Sequence, residues 1–212
     1  DKILNDCDKR LVIPSYNLTN DSIYLFKTRH HDTLNHDFKL PIWQIAMATA
    51  SAPTFFSSFR QINNLRLIDG GVWANNPSLV GIVEAIYLLN KSLDSIKLLS
   101  MGTTKEVIRR NQSLDNGGYW QWKQDAAAII MRGQSIGVHK QVELLLPDRY
   151  LRIDSEVPFN EFKLDKLDVE TILARASNDS RNFEKPVKDM FADYIAEKFT
   201  PLPMNESRME IN

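Results

Sequence analysis

The sequence predicts an α/β fold, a mainly parallel sheet layered between helices, and three consecutive runs predict it. Leu65-Arg66-Leu67-Ile68 reads as a strand ending in Asp69-Gly70-Gly71; Leu79, Ile82, Val83, Ile86 and Leu89 then recur at helical spacing; Ile96-Lys97-Leu98-Leu99-Ser100-Met101-Gly102 supplies a second buried strand. A strand, a helix and a strand in that order imply a parallel pair joined by a crossover helix.

Upstream, Leu11-Val12-Ile13 and Ile23-Tyr24-Leu25-Phe26 flank the turn-rich run Asn17-Leu18-Thr19-Asn20-Asp21-Ser22 and read as two strands of a meander. A polar loop runs through about His36. Pro41 fits a first helical position, and Ile42, Ile45, Ala46 and Thr49 keep helical spacing until Pro53. Downstream, Asp115-Asn116-Gly117-Gly118 interrupts the chain before Trp122, Ala126, Ile129, Ile130 and Gly133, the stripe of a long helix that Pro147 stops. Tyr150-Leu151-Arg152-Ile153 is a short strand. Two amphipathic helices are expected to follow, one through Val169, Ile172, Leu173 and Ala176, the other through Val187, Met190, Phe191, Tyr194 and Ile195. Residues 1–200 are expected to form one globular unit, and 201–212, after Pro201-Leu202-Pro203, a polar tail.

Composition excludes several functions. With 26 basic and 27 acidic side chains among 212 residues, the formal charge is -1, so no overall field draws the chain to nucleic acid. Nucleic acid is not an expected partner. A single cysteine, Cys7, forms no internal disulfide and suits a reducing compartment, so the expectation is cytoplasmic. No run approaches the ~18 apolar residues of a spanning helix, which makes any membrane contact peripheral. The start, Asp1-Lys2-Ile3-Leu4-Asn5-Asp6, is a polar run without methionine, and residues are expected to precede it.

Asp69 is the candidate catalytic residue. A carboxylate at a strand end is held rigidly, and Gly70 and Gly71 beside it can take positive φ and bring backbone N–H groups close to a reacting centre. Such a group can orient or deprotonate a nucleophile. The tripeptide alone also suits a turn-forming aspartate that caps the helix at Ser78.

The wider strings favour chemistry. Ala48-Thr49-Ala50-Ser51-Ala52-Pro53-Thr54-Phe55-Phe56, then Leu67-Ile68-Asp69-Gly70-Gly71-Val72-Trp73-Ala74-Asn75-Asn76-Pro77, then Leu99-Ser100-Met101-Gly102-Thr103, resemble the patatin-like phospholipase family in order and spacing. The resemblance implies a three-layer patatin-like α/β fold, of which this chain is the second half only. It implies hydrolysis of glycerolipid or phospholipid acyl esters by a Ser–Asp dyad, with Asp69 as the aspartate and no cofactor or metal. The serine of the family's GxSxG elbow and its glycine-rich oxyanion loop would lie before Asp1. The isolated chain is therefore expected to be inert. Expected partners are a lipid substrate and the missing N-terminal half of the same domain, or a second copy joined through an exposed sheet edge. A non-catalytic lipid-binding or interaction module on the same scaffold is the alternative.

Gly133-Gln134-Ser135-Ile136-Gly137 matches GxSxG by letter, but an elbow needs a strand before the serine and a helix after it. Asp125-Ala126-Ala127-Ala128-Ile129-Ile130 is a helix-forming run, so Ser135 is rejected and Gly133 and Gly137 are expected to make a helix–helix contact. His30, His31 and His36, in a polar loop with Asp32 and Asp37, read as surface histidines without zinc-ligand spacing. His139 reads as a solvated helix residue, Cys7 as structural or incidental, and Ser51 and Ser100 as packing and capping groups. Trp43, Met47, Phe55, Phe56 and Phe59 read mainly as core, with Phe55, Phe56 and Phe59, crowded after a helix end, as the candidates for lipid contact. Arg109 and Arg110 could meet phosphate headgroups, though a solvated charged face accounts for them.

Overall fold

The computed structural model describes residues 1–107, 112–158, 161, 168–196 and 198–203. Arg109 and Arg110 lie outside them, as does most of the expected tail. The chain divides into two compact units, Asp1–Lys91 with Ala196–Asn212, and Ser92–Ile195.

In the first unit, β1 (Val12–Asn17) and β2 (Ser22–Lys27) form the expected antiparallel pair, in register Ile13↔Phe26 and Ser15↔Tyr24. Asp21 takes φ 52° in the connecting turn, a conformation that aspartate tolerates. After α1 (Ile42–Thr49), β3 (Leu67–Asp69) joins the far edge of β1 in antiparallel register, Ser15↔Asp69 and Asn17↔Leu67. The sheet order is β2-β1-β3. The period of two puts Ile13, Phe26 and Leu67 on one face, where they meet Ile45 and Ala48 of α1, with Leu4, Phe59 and Ile62 completing the core.

The other side of β3 is also paired. Phe59 and Leu67 exchange backbone hydrogen bonds of 2.8 and 2.9 Å, and the Asp69 N–H donates to the Ser51 carbonyl at 3.0 Å. The return from Phe59 turns at Asn63 and Asn64, both at positive φ, with the Leu65 N–H bonded to the Ile62 carbonyl at 2.8 Å. Consecutive left-handed residues are the requirement of a type I′ turn, and asparagine meets it. Beyond β3 a short α2 (Gly71–Ala74) precedes α3 (Ser78–Tyr87).

In the second unit the expected parallel pairing appears one step later than the sequence predicts. Strand β4 (Leu98–Met101) does not pair with β3; it pairs in parallel with β6 (Tyr150–Ile153), Leu98↔Tyr150 through Met101↔Ile153. The crossover helix is α4 (Tyr119–Leu145), not α3. A second parallel pair joins β5 (Lys105–Glu106) to β7 (Glu156–Val157). The class is α/β, as expected, with parallel pairing confined to these two small pairs and the three-stranded sheet antiparallel.

Two further expectations fail here. The last two helices are one, α5 (Val169–Phe191), capped by the Asp168 side chain on the Thr171 N–H. Pro186 removes one intrahelical hydrogen bond without ending the helix, and Tyr194 and Ile195 lie beyond its end. Gly133 and Gly137 face open space, with nothing within 4 Å of the position a Cβ would take, so they make no close helix contact.

Gly70 is the glycine that geometry requires. Its φ is -66°, so its role is not a positive φ; a Cβ there would stand 2.2 Å from the Pro14 carbonyl oxygen. Gly70→Ala is expected to cost about 2 kcal/mol or more, as overpacking against fixed backbone does, read as a lower midpoint in urea denaturation.

Candidate functional site

Asp69 is the last residue of β3, and alternation from buried Leu67 sends its side chain to the sheet face that carries the core, at the rim. Three attachments fix its backbone: pairing with Ser15, the bond from its N–H to Ser51, and the close approach of Gly70 to Pro14. Ser15 reinforces them, its hydroxyl donating to the Ile68 carbonyl at 2.7 Å and its carbonyl accepting from the Trp73 indole at 2.9 Å. The carboxylate's Oδ1 accepts the Gly71 N–H at 2.6 Å. Oδ2 has no hydrogen-bond partner among the described residues. The turn bond anticipated for Asp-Gly-Gly is thus present and occupies one oxygen, but Asp69 does not cap the helix at Ser78, whose N–H donates to Asn76 Oδ1 at 3.2 Å.

The structure brings Asp69, Gly70 and Gly71 together with the end of the Ala48–Phe56 string, through Ser51. Both glycine expectations are corrected in part: neither takes positive φ, and the one N–H aimed at a nearby group, that of Gly71, is directed at Asp69 itself. Ser51 and Ser100 are buried and bonded, Ser51 Oγ to the Met47 carbonyl at 2.7 Å and Ser100 Oγ from Arg152 at 2.7 Å. Ser135 sits inside α4, away from any strand-to-helix turn.

Of the aromatics expected to meet lipid, Phe55 and Phe56 are 57% and 64% exposed, while Phe59 is 9% exposed and belongs to the core. Phe59 is corrected to a packing residue, edge-on to Trp43 with ring centroids 6.3 Å apart. Its pairing with Leu67 turns it inward. Trp43 and Met47, expected in the core, are exposed instead. Thr54, beside Phe55, holds φ 74°, a rare conformation for a β-branched residue.

Two histidine readings are also corrected. His139 is half-buried, its Nδ1 3.0 Å from the Tyr150 hydroxyl of β6. His30 is buried, with Nδ1 3.0 Å from Thr28 Oγ1 and Nε2 2.8 Å from Glu84 Oε1; Glu84 Oε2 pairs with Lys27 Nζ at 2.6 Å. Burial pushes the His30 ring below its ordinary titration range, against the pull of Glu84. Sequence reasoning missed this cluster. The only signal was Glu84 itself, one carboxylate in the otherwise apolar stretch Leu79-Val80-Gly81-Ile82-Val83-Glu84-Ala85-Ile86. On the same hairpin the Tyr24 hydroxyl donates to Asp37 at 2.8 Å, and burial raises both groups above their usual range. Among the described residues no group of three or more His, Cys, Asp or Glu side chains could hold a metal ion, and no helix is long and apolar enough to cross a membrane.

The patatin-like phospholipase family model matches residues 1–81. That stretch contains Asp69-Gly70-Gly71, and the resemblance carried by the motifs holds over it. The chain is 27% identical over 163 residues to a cGAMP-activated phospholipase of Pseudomonas aeruginosa (strain BWHPSA011 / Pa011), covering 76% of this chain and 48% of that protein. It is 28% identical over 173 residues to a cGAMP-activated phospholipase of Escherichia coli (strain TW11681), covering 73% and 48%. The calcium-independent phospholipase A2-gamma of Oryctolagus cuniculus is 29% identical over 134 residues, covering 60% and 16%. The chain spans about half the length of the first two relatives.

The arrangement predicts how Asp69 tolerates change. Asn at this position keeps an oxygen for the Gly71 N–H, and Asp69→Asn should alter stability by under about 0.5 kcal/mol, whereas Asp69→Ala loses the bond and should cost about 1 kcal/mol, both measured by thermal unfolding of the chain.

Proposed function

We propose that this chain supplies the aspartate of a lipid acyl hydrolase, with Asp69 acting as the base of a Ser–Asp dyad whose serine lies upstream in the parent protein. The carrying observation is the Asp69 carboxylate, clamped at a strand end with one oxygen tied to Gly71 and the other without a hydrogen-bond partner among the described residues, inside the residues that match the patatin-like family. The parent serine attacks the ester carbonyl of a glycerolipid or phospholipid while Asp69 accepts its proton. Protonated Asp69 gives that proton to the leaving alcohol as the acyl-serine forms; the carboxylate so regenerated takes a proton from the water that attacks the acyl-serine and returns it to the serine oxygen as the acid leaves. The complementary half of the domain is the partner that completes the site. Strand β4, paired along one edge only among the described residues and carrying exposed Leu99 and Met101, supports a further strand or a second copy joining it. Phe55 and Phe56 are the lipid-facing side chains in this reading; their exposure supports it.

In the parent protein, Asp69→Asn is expected to lower lipid hydrolysis by at least about 100-fold while leaving the fold intact, since a positioned base contributes 10²–10⁴ in rate. Activity equal to the unaltered protein would sink the assignment. The 212-residue chain alone should turn over no short-chain ester, and Ser135→Ala should change nothing; turnover lost on that substitution would reinstate Ser135. Replacing both aromatics, Phe55→Ser with Phe56→Ser, should weaken sedimentation of the chain with phosphatidylcholine vesicles by about tenfold or more, given roughly 1.5–3 kcal/mol for burying one such side chain. Unchanged partitioning would remove these two residues from the lipid contact.

A further inference from the structure

The chain that leaves Asp69 runs through α2 and Asn75-Asn76-Pro77 directly into α3, so the placement of α3 bears on the Asp69 turn. Helix α3 and the β1–β2 hairpin flank an indentation of the surface. An apolar groove of about 470 Å³ runs there, lined by Ile23, Leu25, Trp73, Leu79, Val80 and Leu88 among others. Glu84 bridges it. One carboxylate oxygen takes Lys27 from the end of β2, the other takes His30 just beyond, and His30 is braced in turn by Thr28, whose Oγ1 also accepts the Leu11 N–H at 3.0 Å. Lys27, His30 and Glu84 are each largely withdrawn from water, with side-chain exposures of 18%, 1% and 10%. Removing one member of such a set leaves an uncompensated buried group, which is strongly destabilising locally.

We propose that Glu84 is a positioning residue for Asp69: gripped by Lys27 and His30, it fixes the helix that follows the Asp69 turn, and the grip loosens when His30 takes up a proton. The acid side follows from burial of the ring. With His30 neutral, its Nε2–H donates to Glu84 and its Nδ1 accepts from the Thr28 hydroxyl; the carboxylate then faces one full cation, Lys27. Protonation puts a positive charge on a ring shut off from water; burial opposes that charge most, Lys27 and Arg10 add repulsion, and together they outweigh the pull of Glu84. The group's folded value lies below its unfolded one, so the stabilisation is present above pH 6.5 and is lost as pH falls through the folded value. The functional meaning rests on Asp69 being the base, whereas the grip itself is measurable in this chain without catalysis.

Gly71 provides the reporter, because its amide proton is bonded to Asp69 Oδ1 and senses any shift of that carboxylate. In ¹⁵N-labelled chain titrated from about pH 8 to about pH 5, the Gly71 amide should show an inflection coincident with the His30 ring, below pH 6.5. Protection factors of α3 amides, exchange rates taken relative to the intrinsic rate at each pH, should fall at least about tenfold below that inflection. Glu84→Gln should move the Gly71 amide already at neutral pH, erase the coincident inflection and speed α3 exchange. A His30 ring that titrates like a free imidazole, or a Gly71 amide unmoved by both acid and Glu84→Gln, would overturn the proposal. Should Glu84→Gln not fold, the wild-type titration together with Lys27→Met decides, with the same two expectations. Loss of hydrolysis in parent Asp69→Asn is a separate result: its failure would remove the base and leave the grip standing, and a silent Gly71 amide would do the reverse.

Discussion

The three residues of β3 are hydrogen-bonded along both edges, and the rest of the first unit is built around that double pairing. On one side Leu67, Ile68 and Asp69 lie against Asn17, Tyr16 and Ser15 of β1; on the other, Leu67 meets Phe59 and Asp69 meets Ser51. A strand of three residues gains little from length, so its order comes from having partners on both sides and from Leu67 at the centre of the core. The tightness has a consequence at the next residue. Gly70 abuts the Pro14 carbonyl, the chain must turn at once, and α2 begins at Gly71. Asp69 is therefore held by backbone on all sides, which is the condition for a carboxylate to keep one geometry.

That pairing also closes the sheet edge beside Asp69. The segment from Ser51 to Phe59 folds back along β3 and pairs it, Phe59 with Leu67 and Ser51 with Asp69. The return is possible because Asn63 and Asn64 both adopt positive φ without the penalty a branched residue would incur. In the second unit β4 is paired along one edge only among the described residues, and its Leu99 and Met101 are exposed.

Legibility in the sequence followed the physics of each signal. The β1–β2 hairpin, α1, α3 and α4 were readable because alternation or helical period persisted over several residues and turn residues bounded each run. The partner of β4 was not readable: strand, helix and strand in order names a crossover without saying which strand lies beside which, and β6 carries the same apolar pattern as β3. The single helix α5 was hidden by Ser177-Asn178-Asp179-Ser180 and Pro186, residues that weaken a helix in isolation. Tertiary links offset that weakness; Ser155 donates to Asp179, and Lys97 donates to the Met190 carbonyl at 2.8 Å. Burial of His30 was hidden for a related reason. A histidine in a polar stretch has no periodicity, and its partner Glu84 lies 54 residues away.

At Asp69 the two readings of the tripeptide concern different atoms. A turn-forming role needs one oxygen aimed at the N–H two residues on, and Oδ1 does that for Gly71. A base needs a second oxygen that is fixed in place yet unoccupied, because an oxygen already accepting a strong hydrogen bond is a poorer acceptor for a nucleophile's proton. The turn bond thus serves the chemistry proposed for the parent protein: it removes the rotation about the side chain that would otherwise let Oδ2 wander. Gly71 then contributes by orienting the carboxylate through its N–H, and Gly70 by letting β3 end hard against Pro14. Glu84 extends the same logic outward, since a carboxylate set by the turn is only as well placed as the helix that continues it.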